Sequence, residues 1–139
     1  MIADRRSRYD ERGQSVSVFV TVVFAALIMT AGLVIDGGQK IAAASRAETA
    51  AAGAARAAAN AGVTQTLGGS SPSDASLRAA RAFLAGQPGV NGSASVSNGV
   101  VTVHTRATER TLFLSLIGID SVSASGTASA NSVGPDESR

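Results

Sequence analysis

From Val16 to Ile35 the chain carries twenty consecutive uncharged residues, VSVFVTVVFAALIMTAGLVI. As a helix this stretch covers ~30 Å, the thickness of a bilayer's hydrocarbon layer. The hydroxyls of Ser17, Thr21 and Thr30 can bond backbone carbonyls of their own helix and so cost little in lipid. A small domain cannot wrap a helix that is apolar on every side. The pattern therefore predicts a transmembrane segment over 16–35. A cleaved secretory signal fits less well, because its apolar region is usually ~7–15 residues long. The nearest small-x-small site, Ala42-x-Ala44, also lies beyond Asp36 and Lys40.

After Gly37 and Gly38 the pattern changes from large apolar side chains to alanine. Ala43, Ala47, Ala51, Ala55 and Ala59 form an i, i+4 line, with Gly53, Ala57 and Ala61 beside it. Small residues let helix backbones approach closely, which makes these five alanines the candidate helix-packing residues. Leucine at Ala51 is then expected to disturb assembly and leave the outer module folded. The alternative reading is low-complexity alanine with high helix propensity. Asp36 and Lys40, four apart with the acid first, suit an ion pair. Asn60 and Gly62 suit a helix stop. One helix is predicted over 14–62, with a soft point at Gly37–Gly38.

The outer module, 63–130, reads as α+β. Thr64–Ser73 is predicted to be a loop, with Ser73 as N-cap of a short helix that ends at Gly86. Leu77, Ala80, Phe83 and Leu84 share one face of that helix. Asn98-Gly99 is a strong hairpin signal. It sets Val96 opposite Val101 and Ala94 opposite Val103, with Ser95, Ser97, Thr102 and His104 on the other face. Val122, Ala124, Ala128 and Ala130 alternate with polar residues and suit a third strand. The apolar stretch TLFLSLIGI, Thr111–Ile119, is too short to span a membrane. It is left as a connector, a docking patch or a segment that dips into lipid. The tail 131–139 reads as disordered. A core this small is marginal alone, so the long helix or a neighbouring subunit is expected to complete it.

Charge adds an orientation. Arg5, Arg6, Arg8 and Arg12 precede the apolar run, which predicts a cytoplasmic leader over 1–13 and an extracytoplasmic module. A net charge of +2, thinly spread, gives no nucleic-acid surface. There is no cysteine, which excludes disulfides and thiolate chemistry. The single histidine, His104, falls on the polar strand face beside Arg106, as a solvated residue does. The carboxylates are dispersed and the glycine pairs lack phosphate-loop context. No catalytic residue, metal site or cofactor is expected, and the chain does not read as an enzyme.

In order and spacing, DERGQSVSVFVTVVFAALIMTAGLVIDGGQKIAAASRAETAAAGAARAAANAG resembles the TadE/TadG-like proteins of the Tad (Flp-type) pilus system, in the form common in actinobacteria. The Arg-Gly start, GLVIDGG and the Ala/Arg-rich continuation carry the likeness, and VVTVH and TLFLSLIGIDSVSASGTASA extend it. The resemblance implies a membrane-anchored minor pilin or pseudopilin of a type IV-like pilus used in adhesion and secretion. Its partners would be pilins, Tad-type inner-membrane assembly proteins and a prepilin peptidase. By the same resemblance, cleavage would fall between Gly13 and Gln14. The family's common glutamate at the fifth mature position is replaced here by Val18, which cannot pair with a neighbour's amino terminus. The alternative function is that of an uncleaved single-span membrane protein whose outer module binds a ligand or cell-envelope partner.

Overall fold

The computed structural model describes residues 11–68 and 71–131. The leader residues 1–10 and the tail from 132 lie outside them. Helix α1, Glu11–Gly68, runs unbroken through Gly37 and Gly38 and reaches ~87 Å. It continues past the predicted stop: Gly62 stays helical and buried, as a small packing residue and not a left-handed cap. Much of the expected 64–73 loop is therefore the last turn of α1.

Helix α2, Pro72–Ala85, follows. Its N-cap is Ser71, two residues before the predicted Ser73, and Pro72 takes the first helical position, where its missing N–H costs nothing. Gly86 ends it, as expected. Ala75, Ser76, Ala80 and Leu84 are buried, with Leu77 and Phe83 half-buried beside them. The Ser76 hydroxyl donates to the Ala58 carbonyl at 2.8 Å and fastens α2 to α1.

Three antiparallel strands complete the fold in the order β1 (Val90–Ser97), β2 (Val100–Arg110) and β3 (Ser121–Asn131). Asn98 and Gly99 both have positive φ, at 51° and 72°, the geometry of the tightest hairpin turns. That turn fixes the predicted register, Val96 opposite Val101 and Ala94 opposite Val103. Ala130, Ala128 and Ala124 of β3 then face Val101, Val103 and Ala107. The α+β class and the small-residue face of the third strand are both as predicted.

The sheet lies on the second half of α1. Ala51, Ala54, Ala55 and Ala58 share one buried cluster with Ala80, Leu84, Val101 and Val103. Ala43, Ala47 and Ala50 share a second with Val90 and Ala107. The long helix thus completes the module core from within the chain. The expected neutrality of leucine at Ala51 toward the outer module is corrected by this placement, because Ala51 is fully buried in that core.

Alanine faces bury little area, so close approach does the holding. A Cβ on Gly126 would stand 2.5 Å from the Ala47 carbonyl carbon and 2.6 Å from the Glu48 nitrogen. Beside it, the Thr105 hydroxyl donates to the Ala47 carbonyl at 2.7 Å. Strand β3 and helix α1 therefore meet backbone to backbone. Gly126→Ala is expected to destabilise the module by about 2 kcal/mol, since the obstructing atoms are main chain and cannot rotate away. Thermal unfolding of the full chain in detergent checks this. An unchanged midpoint would mean that the helix slides easily on the sheet.

Candidate functional site

Strand β2 runs antiparallel to α1, so its end points back toward the apolar run. Val101 and Val103 lie near Ala51–Ala58, Thr105 meets Ala47, and Glu109 pairs with Arg46 at 2.5 Å. That ion pair is partly solvated and contributes about 0–1 kcal/mol. Beyond Arg110 the chain forms a closed loop. The Thr111 N–H donates to the Asp120 carbonyl at 3.1 Å, and the Thr111 hydroxyl donates to the Ile119 carbonyl. Within the loop, Leu114–Ile117 make one 3₁₀ turn, capped by Gly118 at φ 87°.

The loop grips α1 at two points. Asp36, only 1% exposed, accepts three backbone N–H bonds at the start of the 3₁₀ turn. Leu112 donates to Oδ1 at 2.8 Å, while Phe113 and Leu114 donate to Oδ2 at 3.0 and 2.6 Å. Burial acts to raise the pKa of this carboxyl. The amides of Leu112, Leu114 and Phe113 outweigh burial and hold it below the ordinary carboxylate value. One helical turn earlier, the Phe113 ring covers Gly32. A Cβ there would stand 2.5 Å from the ring's Cγ. The predicted Asp36–Lys40 ion pair does not form, because both carboxylate oxygens are engaged by the loop.

The apolar run itself is bare. Apart from Gly32, every residue from Ser15 to Ile35 is exposed. The Thr21 and Thr30 hydroxyls bond back to the Ser17 and Ala26 carbonyls, at 2.9 and 2.8 Å. The helix is long and apolar enough to cross a membrane, and 6% burial of its most apolar window separates it from a core helix of a soluble fold.

Gly13 and Gln14 lie in the first turn of α1, and Val18 and Phe19 are exposed one turn on. Of the candidate packing residues, Ala43, Ala47, Ala51 and Ala55 are buried against the chain's own sheet and α2, and Ala59 is half-buried. The structure thus separates the residues at the helix start from the alanine line by the whole apolar run. His104 is exposed on the outer sheet face, its Nδ1 3.1 Å from the Thr127 hydroxyl. Asp36 is the residue that sequence reasoning missed. Its one legible signal was an acid placed immediately after twenty uncharged residues.

Residues 13–61 match the family model described as Flp pilus-assembly TadE/G-like. The match takes in the apolar run, Asp36 and the packing alanines, and it stops before α2. No curated protein and no solved structure gave a significant match.

Proposed function

We propose that this chain, whose residues 13–61 match the family model described as Flp pilus-assembly TadE/G-like, takes part in Tad pilus assembly as a membrane-anchored minor pilin or pseudopilin. The observation that carries this reading is the single helix α1, bare over its apolar half and sheathed by its own module over its alanine half. Such a helix serves as anchor and spine at once. The apolar run crosses the membrane with the arginine-rich leader inside, and the module stands outside, where it meets pilins and inner-membrane assembly proteins.

In this proposal a prepilin peptidase cuts between Gly13 and Gln14. Intact-mass measurement of membrane-extracted protein should give a species starting at Gln14 or its methylated form. Recovery of the full-length species alone, from cells with an active prepilin peptidase, would rule out the processed form. It would favour the second reading, an uncleaved single-span protein whose outer module binds an envelope partner.

A further inference from the structure

We infer that the loop Leu112–Ile119 is a second membrane contact, inserted into the leaflet on the module's side among lipid acyl chains. The inference rests on the reading that residues 16–35 cross the membrane. Leu112, Leu116, Ile117 and Ile119 are all exposed, Leu116 at 81% and Ile117 at 73%. A contiguous apolar group of this kind on a module whose outer sheet face is otherwise polar, mostly serine and threonine with His104 and Arg106, marks an interaction surface.

The place of the loop decides which surface. Twenty residues at ~1.5 Å each match the hydrocarbon thickness with no slack, so Ile35 sits at its edge. Gly32 then lies about one turn inside, and the ring of Phe113 rests on Gly32. The loop cannot be clear of the bilayer while its own phenylalanine packs against a residue within the span. At the same level of α1, Leu33 and Val34 are also bare.

Polarity follows the same axis. The tip is leucine and isoleucine, and the neck bears Arg110 and Asp120, both exposed. The carboxylate of Asp36 sits at the boundary with three amides upon it, so a charge can be held at that depth without bare exposure to lipid. The loop's hydroxyls are also bonded inward. Ser115 donates to the Leu112 carbonyl at 2.7 Å and Thr111 to the Ile119 carbonyl. The inserted surface is therefore almost wholly apolar.

The absence of cysteine in the chain permits a direct test. Single variants Leu116→Cys, Ile117→Cys, Phe24→Cys and Asn98→Cys of the full chain would carry an environment-sensitive fluorophore. They would be reconstituted in phosphatidylcholine–phosphatidylglycerol vesicles containing brominated lipid. Both loop positions should show blue-shifted emission that is lost most strongly to lipid brominated near the headgroup. Phe24 should be quenched best by bromine deep in the acyl chain, and Asn98, in the hairpin turn, should keep its emission. Quenching at Phe24 without quenching at either loop position would overturn the proposal and leave the span intact. A blue shift at the loop without quenching would also overturn it, in favour of a second protein surface over the patch. Unquenched emission at Phe24 as well would overturn both the loop insertion and the span.

Discussion

Ala51→Leu is expected to destabilise the outer module strongly, lowering its melting midpoint by more than about 10 °C. Ala51 is fully buried where α1 meets the sheet, in one cluster with Val101, Val103 and Leu84. Leucine adds three heavy atoms at a position with no exposed surface. Overpacking typically costs about 1–3 kcal/mol, and more where the backbone must shift. Here the backbone must shift, because Gly126 nearby already sits against the main chain of Ala47 and Glu48. The module follows the ordinary scale of about 0.1 kcal/mol per residue, so its total stability is only a few times larger than this loss. A loss of 3 kcal/mol corresponds to a midpoint shift of roughly 12–24 °C for a unit of this size. Circular dichroism melts of the full chain in detergent would measure it. Ala42→Leu is the control, since Ala42 lies on the same helix but is exposed, and it should change stability by less than about 0.5 kcal/mol. Equal melting of both variants would show that the alanine face does not hold the sheet.

Asp36→Asn is expected to free the Thr111–Asp120 loop from α1 while leaving the sheet in place. Asparagine keeps one acceptor oxygen but presents an NH₂ group to amides that also donate. At least one of the Leu112, Phe113 and Leu114 N–H groups is then left facing a donor in a buried site. Hydrogen exchange should report Leu112–Leu114 among the fastest amides of the module, with Val101 and Val103 still protected. Retained protection of Leu112–Leu114 would mean that the loop is held by Phe113 on Gly32 alone. The same contact sets a pH dependence. The carboxyl is held below its ordinary value in the folded chain, so ionised Asp36 contributes stability that is fully present above the unfolded pKa of about 3.9. That contribution is lost as pH falls through the lower, folded value. Acid should therefore loosen the loop of the parent chain only below the ordinary carboxylate range, and Asp36→Asn should lack this transition.

Local chemistry made much of the fold legible. Asn98-Gly99 dictates a turn in which both residues take positive φ, and the pairing of β1 with β2 follows from counting outward. The alternation from Val122 to Ala130 placed β3 by the same means. At helix boundaries the sequence was ambiguous. Ser71 and Ser73 are equal as caps, and Pro72 breaks the tie by favouring the first helical position. Gly62 stops a helix only if it turns left-handed, and here it remains within one. The destination of the alanine line could not be read, because a row of methyl groups looks the same whether it faces another subunit or its own sheet. The partners of Asp36 lie 76–78 residues downstream. No periodicity or motif connects positions so far apart, and only the tertiary fold brings them together.

Gly37 and Gly38 sit in the middle of α1 with nothing within 4 Å of the places where their Cβ atoms would be. Each lowers helix stability by about 1 kcal/mol relative to alanine, which makes this turn the weakest joint of a long rod. The rod is nonetheless splinted there. The loop holds Gly32 and Asp36 on one side of the joint, and the sheet holds Ala43, Ala47 and Ala50 on the other. Bending at the glycines must pull Phe113 off Gly32 or strip the amides from Asp36. Torque applied to the outer module is thus delivered to the apolar half as through a stiff lever, up to the load at which three hydrogen bonds and one aromatic contact give way together.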